Sequence, residues 1–404
     1  MPTRSRGPLA GLVRDAHTLQ PRTVGLRRRL HRHPELGLRL PLSQAEVLTE
    51  LADLPLRLHT GSSLTSVVGV LEGEHPGPTV LLRGDMDALP LTEETGLPFA
   101  STIDGQMHAC GHDTHTAMLA SAARLLCDRR SEIAGRVVLM FQPGEEGQHG
   151  ARHMIEEGVL DATGDTPERA YALHISATMP TGTIQTRPGP IMAAADVLRV
   201  TVHGRGGHAS APHDTLDPVP AAAAMIGALQ TMVTRRVSAL EPAVLTIAHL
   251  RAGSTSNVIP ETAFLEGTLR TLSDPVRTLL REQVTLVCQH TAAAYGCTAS
   301  VEIEAGYPIA VNDAMEAGTV EAVAGELLGP GRVGPMETPI LGAEDFAYIL
   351  DQVPGALAFL GGCPPGREPS EAAPNHSNRV VFDESAMVDG VAVYAGLALH
   401  ACSR

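Results

Sequence analysis

The chain has 404 residues, 43% hydrophobic and 19% charged, with a formal net charge of −15 at pH 7. Such a length and balance suit a soluble protein of two domains, each with its own core, and argue against a disordered chain or a phosphate-backbone partner. All thirty basic residues are arginines; Schiff-base, pyridoxal-phosphate and Walker-type mechanisms need an amine and are excluded.

The six cysteines, at 110, 127, 288, 297, 363 and 402, form no CxxC pair. In a chain of this size that predicts a reducing compartment, with any special cysteine kept for ligation or reactivity. The opening Met1-Pro-Thr-Arg-Ser-Arg-Gly7 leads into no apolar run of signal-peptide length. Nor does a run of about twenty apolar residues offer a bilayer span. The expected location is cytoplasmic. Arg27-Arg-Arg29 is the only compact basic run and reads as a solvated helix end, so neither nucleic acid nor membrane is an expected partner.

In chain order, residues 8–31 predict a helix whose apolar stripe comprises Leu12, Val13, Leu19, Val24, Leu26 and Leu30. It ends at His31-Arg-His-Pro34, because proline disfavours helical geometry in the residue before it. A second helix is expected over 43–53, capped by Ser43 with Glu46 at the capping-box spacing. Strands follow at 66–71 and 79–83. The latter runs into Gly84-Asp-Met-Asp-Ala-Leu-Pro90, so two carboxylates fall at the carboxyl end of an apolar strand, where open α/β sheets build their sites. Asp85 fits an ordinary polar turn equally well, whereas Asp87, directly ahead of Ala-Leu-Pro, reads as functional.

Met107-His-Ala-Cys-Gly-His-Asp-Thr-His115 packs three histidines, a cysteine and an aspartate into nine residues, ahead of a buried helix over 116–126. Nitrogen and thiolate donors this dense suit zinc or a neighbouring divalent ion; a solvated His-rich loop is the plain alternative. The strand at 135–141 delivers Glu145 and Glu146. Adjacent carboxylates raise each other's pKa unless a cation neutralises them, and one can ligate while its neighbour serves as general base. A short strand at 171–175 carries His174, which alone would read as a core histidine.

The composition shifts near Thr186-Arg-Pro-Gly-Pro190. Strand 196–203, helix 218–236, strands 244–250 and 262–270, helix 275–295 and strand 298–304 give the β-α-β-β-α-β order of an inserted α+β domain. Gly204-Arg-Gly-Gly207 lacks the spacing of a phosphate loop. From Gly306 the first character returns, with a helix at 313–328, a strand at 356–360 and a terminal helix. The expected fold class is α/β: an α/β/α domain with a mixed central sheet over 1–187 and 306–404, and a ferredoxin-like insert over 188–305.

Eight motifs occur in one order: Leu30-His-Arg-His-Pro-Glu-Leu-Gly37, Arg83-Gly-Asp-Met-Asp-Ala-Leu-Pro90, His108-Ala-Cys-Gly-His-Asp113, Phe141-Gln-Pro-Gly-Glu-Glu-Gly147, Gly206-Gly-His-Ala-Ser210, Ser256-Asn-Val-Ile-Pro260, Gly342-Ala-Glu-Asp-Phe346 and Asn375-His376. Together they resemble the aminoacylase/carboxypeptidase superfamily of dinuclear metallohydrolases, in the branch of hippurate hydrolases, N-acyl-amino-acid amidohydrolases and plant auxin-conjugate hydrolases. The resemblance implies two divalent metal ions per subunit, zinc first, with manganese, cobalt or nickel as alternatives. It puts the ligands at Cys110, His112, Glu146, His174 and His376, the general base at Glu145 and a supporting carboxylate at Asp87. More distant relatives have an aspartate in place of Cys110, which implies a thiolate able to bridge the metals. The insert resembles a dimerisation or lid domain, with His208, Asn257 and Arg270 at substrate-contacting positions and His208 completing the neighbouring subunit's site in a homodimer. Leu38-Arg-Leu-Pro-Leu42 departs from relatives, which usually carry acidic residues there.

The implied reaction is hydrolysis of an N-acyl amino acid. The metals lower the pKa of water toward neutrality, and Glu145 takes its proton and returns it to the leaving amine. His208 helps hold the oxyanion, while Arg270 and Asn257 suit a free α-carboxylate. A surface ion pair for Arg270 and turn chemistry for Asn257 are the plain alternatives. A dipeptidase or carboxypeptidase of the same superfamily is the nearest rival. A non-catalytic, metal-stabilised dimeric binding protein would have no use for a free base beside a ligand. A cysteine hydrolase built on Cys110 would leave His174 and His376 without a shared purpose. His149, His153, His203, His213 and His249 read as structural or solvated.

Overall fold

The structure, a computed structural model, describes residues 9–403; Met1–Gly7 and the first position of the helix expected over 8–31 lie outside them. The described chain forms two units. One holds the residues through Ile191, Val311–Thr338 and those from Asp345 onward; the other holds Met192–Ala310 and Pro339–Glu344.

The first unit opens with α1 (Leu12–Arg32), α2 (Pro41–Leu51), β1 (Arg57–Thr60), β2 (Val67–Glu72) and β3 (His75–Asp85). The capping expectation for α2 is corrected. The helix starts two residues earlier with Pro41 in its first turn, where proline's missing N–H costs nothing, and Ser43 lies inside it. Its cap is the Glu35 carboxylate, which accepts from Leu42 N–H (3.1 Å), Ser43 N–H (2.8 Å) and Ser43 Oγ (2.9 Å). Glu46 turns instead to Arg29, at 2.7 Å.

Next come α3 (His112–Asp128), β4 (Ala134–Gln142), α4 (Gly150–Glu156), β5 (Arg169–Ser176), β6 (Ile184–Thr186) and β7 (Gly189–Met192). The second unit follows with β8 (Ala194–His203), β9 (Gly207–His208), α5 (Pro218–Arg236), β10 (Ala243–Ala252), β11 (Val258–Ile259), β12 (Thr262–Thr271), α6 (Asp274–Ala294) and β13 (Thr298–Ala305). The remaining elements are β14 (Ala310–Asn312), α7 (Ala314–Leu328), β15 (Val333–Pro335), α8 (Ala347–Leu350), β16 (Gly355–Gly361) and α9 (Met387–Ala401).

The first unit is built on a mixed eight-stranded sheet, β1-β2-β4-β3-β5-β16-β6-β15. Its central strands are apolar at consecutive positions because both faces are covered. Val80, Leu82, Val137, Leu139, Tyr171, Leu173, Ala358 and Leu360 pack in one core with α1, α3, α7 and α9. α3 and α9 are buried nearly all round; α9 is therefore apolar at nearly every register, whereas α3 also buries the polar run His112-Asp-Thr-His-Thr116. The parallel order β4-β3-β5 has β3 leading to β4 on one side while β5 returns on the other. That reversal opens a crevice at the carboxyl ends of β3 and β5, where α/β sheets bind ligands.

The second unit has the antiparallel order β10-β12-β8-β13, with α5 and α6 packed on it through Leu198, Val200, Met225, Leu229, Leu265, Leu280 and Val284. Alternate residues of β8 and β12 are buried, the period of a half-covered strand. No helix among the described residues is long and apolar enough to cross a membrane.

Candidate metal centre

Four segments converge at the crevice of the first unit. β3 ends at Asp85, with Asp87 two residues beyond it; the loop before α3 brings Cys110, and the first turn of α3 brings His112. β4 feeds the turn carrying Glu145 and Glu146, and β5 carries His174 two residues before its end. A bridge between Leu89 and Met107 aligns the first two segments. Gly111 lets the cysteine loop lie against β5. It has φ +95°, and a Cβ there would meet Ile175 Cγ2 at 2.4 Å. His376 arrives from the stretch after β16 in a left-handed conformation, φ 70°, held by its N–H on Ala109 O at 2.8 Å. A non-glycine residue keeps that conformation only where surrounding contacts enforce it.

Cys110 Sγ lies 3.4 Å from His174 Nε2 and 3.2 Å from His376 Nε2. His376 Nε2 is 3.3 Å from Glu146 Oε1, and His112 Nε2 is 3.9 Å from the same oxygen. Cys110, His112 and His174 form one group whose donor atoms all lie within 4.8 Å of one another; Cys110, Glu146 and His376 form a second; His112, Glu145 and Glu146 form a third. Cys110 Sγ is common to the first two. Asp87 Oδ1 accepts from Glu145 N–H (3.0 Å) and faces His112 Nδ1 (3.3 Å), while its Oδ2 accepts from Glu146 N–H (2.9 Å). One carboxylate thus orients both the glutamate turn and the imidazole.

The donor set fits divalent cations. His174 Nδ1 faces Ile175 O at 2.8 Å; a carbonyl only accepts, so the proton sits on Nδ1 and Nε2 is left bare toward Cys110. Burial lowers the pKa of His174, which favours that neutral form. His112 Nε2 is buried and makes no hydrogen bond, the mark of a donor atom kept for another partner. Burial raises the Cys110 thiol. Hydrogen bonding to Cys110 and Glu146 raises His376 to about 10. Burial alone would lower His112, yet Asp85 and Cys110 raise it well above the ordinary range. Without a metal, protons on imidazoles balance this anionic cluster, and a divalent ion would displace them.

Behind the cluster, Asp113 accepts from Arg27 Nε (2.8 Å) and faces His31 Nδ1 (2.8 Å), tying α1 to α3 with groups at most 1% exposed. Burial would raise Asp113, but Arg27 and His31 hold it well below the usual carboxylate range. On the far side, Arg83 Nε donates to Gln142 Oε1 (2.8 Å) and Nη2 to Asp345 Oδ1 (3.1 Å), while Asp345 Oδ2 receives Ala151 N–H (2.9 Å). This network secures the loop after Glu146.

The remaining expected residues belong to the second unit. His208, exposed on β9, accepts Ser210 N–H (3.1 Å) and Ser210 Oγ (2.8 Å) at Nδ1, leaving Nε2–H to donate elsewhere. Asn257 lies beside it through the β9–β11 pairing, its carbonyl accepting Ala209 N–H at 3.0 Å. Arg270 is half-buried on β12, and burial lowers its pKa. His149 is held in a left-handed conformation, φ 55°, with Nδ1 2.8 Å from Tyr348 Oη.

Sequence reasoning missed His115, Asn375, Arg83 and Asp345 as members of the cluster's surroundings. Three of the four sit inside motifs already quoted for the resemblance, which was the available signal.

A family model described as peptidase family M20/M25/M40 matches residues 81–400. Thermostable carboxypeptidase 1 of Saccharolobus solfataricus is 36% identical over 398 residues, 96% of this chain and 97% of that protein. N-acetyl-L-cysteine deacetylase of Bacillus subtilis is 38% identical over 348 residues, 85% of this chain and 81% of that protein. A solved structure of a dinuclear metal-binding peptidase from Bacillus subtilis aligns with a TM-score of 0.82 at 32% identity, covering 96% of this chain and 99% of that one.

Proposed function

The chain belongs to peptidase family M20/M25/M40 and is a metal-dependent hydrolase of amide or peptide bonds, and on that premise we propose that it cleaves N-acyl amino acids at the cluster around Cys110. The observation that carries this reading is the pair of donor groups sharing Cys110 Sγ, with Glu145 beside them as a second carboxylate next to Glu146. Cys110, His112, Glu146, His174 and His376 would hold two divalent ions; zinc suits the thiolate and imidazoles best, with manganese, cobalt or nickel as alternatives. When bound, the ions supply Lewis-acid polarisation of water and of the scissile carbonyl.

The chain's own residues do the rest. Glu145 is 6% exposed, held by its N–H on Asp87 and by Asp345 N–H at 3.4 Å from Oε1, with Oε2 4.0 Å from His112 Nε2. It takes the proton of the attacking water and passes it to the departing amine nitrogen. His208, with Nε2–H free to donate, stabilises the oxyanion. Arg270 receives the substrate α-carboxylate, its fork matching two carboxylate oxygens, and Asn257 adds a neutral donor. The family pattern supports a homodimer in which His208 serves the neighbouring subunit.

A carboxypeptidase is the second reading, favoured by the 36% identity to thermostable carboxypeptidase 1. A panel of N-acyl amino acids against dipeptides separates the two by kcat/KM. For the site itself, Glu145→Gln should abolish turnover with metal content near wild type, while Glu146→Gln should lose metal as well. Equal metal retention and equal loss of activity in both variants would contradict the division between base and ligand.

A further inference from the structure

At the carboxyl end of the sheet the pairing between β3 and β5 stops. The register runs from Val80 opposite Arg169 to Arg83 opposite Ala172, after which β3 turns away toward Asp85. The β5 amides that faced β3 would be left without partners in a buried site beyond that point, which is costly. Side chains from two helices replace the missing strand. Tyr394 of α9 accepts Leu173 N–H at 3.0 Å and donates to Arg83 O at 2.7 Å. His115 of α3 accepts Ile175 N–H on Nε2 at 2.7 Å.

The second contact has a chemical consequence. A backbone N–H only donates, so His115 Nε2 is bare and the proton sits on Nδ1, which donates to Asp85 Oδ1 at 2.6 Å. Asp85 is itself held by Arg83 Nη1 at 2.6 Å from Oδ2, and its carbonyl accepts Thr116 Oγ1 at 2.6 Å. Both His115 nitrogens are therefore engaged. Asp85, His112 and His115 lie close enough to resemble a further cation site, but His115 has no free nitrogen to offer a cation there. Ile175 is also gripped from its other end, its carbonyl accepting His174 Nδ1 at 2.8 Å and Asn375 Nδ2 at 2.9 Å. Between these two grips, His174 Nε2 is aimed at Cys110 Sγ.

We propose that Asp85 and His115 form a positioning pair: His115, fixed in one tautomer by Asp85, grips the Ile175 amide and so sets the direction of the His174 imidazole. This rests on the metal reading above, and it identifies these two residues as supports of a ligand rather than as ligands. Outer partners of metal-binding histidines typically change metal affinity 10- to 100-fold when lost.

The test is cobalt(II) titration of the full chain, read by metal affinity and by the thiolate–cobalt charge-transfer band, together with amide exchange of the segment Arg169–Ser176. His115→Asn keeps a donor near Nδ1 for Asp85 but removes the acceptor for Ile175. His115→Gln reaches the Nε2 position and keeps that acceptor. His115→Asn should bind one of the two cobalt ions about 10- to 100-fold more weakly, with an altered charge-transfer band and faster exchange at the end of β5. His115→Gln should stay close to wild type in all three. Equal behaviour of the two variants, whether both like wild type or both impaired, overturns the pair. Should His115→Asn not fold, loss of cobalt from folded His115→Gln overturns it alone. A wild-type chain that binds no cobalt, zinc or manganese would instead defeat the metal reading, a distinct result.

Discussion

Replacing Asp87 by asparagine removes an acceptor from a carboxylate that serves three donors. The buried side chain, 1% exposed, holds Glu145 N–H at 3.0 Å, Glu146 N–H at 2.9 Å and His112 Nδ1 at 3.3 Å. Asparagine keeps one oxygen. If that oxygen stays with Glu145 and His112, the new NH2 confronts Glu146 N–H; if the amide is flipped, both of the other donors are opposed. At least one buried N–H is then unsatisfied, costing about 1–3 kcal/mol, and the surviving hydrogen bond loses its charge assistance. The total expected is about 2–4 kcal/mol on the first unit. Urea unfolding of chelator-treated protein, fitted with separate transitions for the two units, should show the first unit's midpoint lowered by about 1 M. The same variant should bind metal about 10- to 100-fold more weakly, because the glutamate turn and His112 lose a common brace. An unchanged midpoint together with full metal content would refute the reasoning, since it would mean the three contacts carry no free energy.

Cys110 should resist alkylation in metal-loaded protein and react after chelation, with peptide mass spectrometry as the readout; burial raises its thiol, so labelling of the metal-free form should climb with pH. Equal rates with and without metal would remove it from the ligand set. Burial would raise Glu93, but hydrogen bonds from His31, Ser101 N–H and Thr95 hold it at about 2. Its stabilising contribution is therefore complete above the unfolded-state value near 4.5 and lost as pH falls toward 2. Glu93→Gln should flatten the acid limb of a stability–pH curve in that window, and an unaltered limb would contradict the assignment. Co-expressing Glu145→Ala with His208→Ala under distinct tags should restore about a quarter of wild-type activity through mixed dimers, because random pairing makes half of them mixed with one sound site of two. Background activity in purified mixed dimers would exclude a shared site.

Hydrophobic pattern alone determined the layers. The uninterrupted apolar run of β4 required cover on both faces, the alternation in β8 required cover on one, and α9 was apolar at nearly every register because it is buried nearly all round. Asp87, Cys110, His112, Glu145 and Glu146 were also selected from the chain, because dense carboxylate, thiol and imidazole donors at strand ends are a chemical signal in their own right, whereas His174 and His376 came only with the family resemblance. Tertiary structure decided the supports. Ser43 gave a capping-box spacing, yet Glu35 caps α2; Asp85 passed for a polar turn, yet it sets the tautomer of His115. His115 reaches a backbone amide 60 positions away and Asn375 a carbonyl 200 positions away. Burial repeats along a helix or strand with a fixed period, so it leaves a trace in the order of residues. A hydrogen bond to a backbone group depends only on where the chain has been folded in space, and that leaves none.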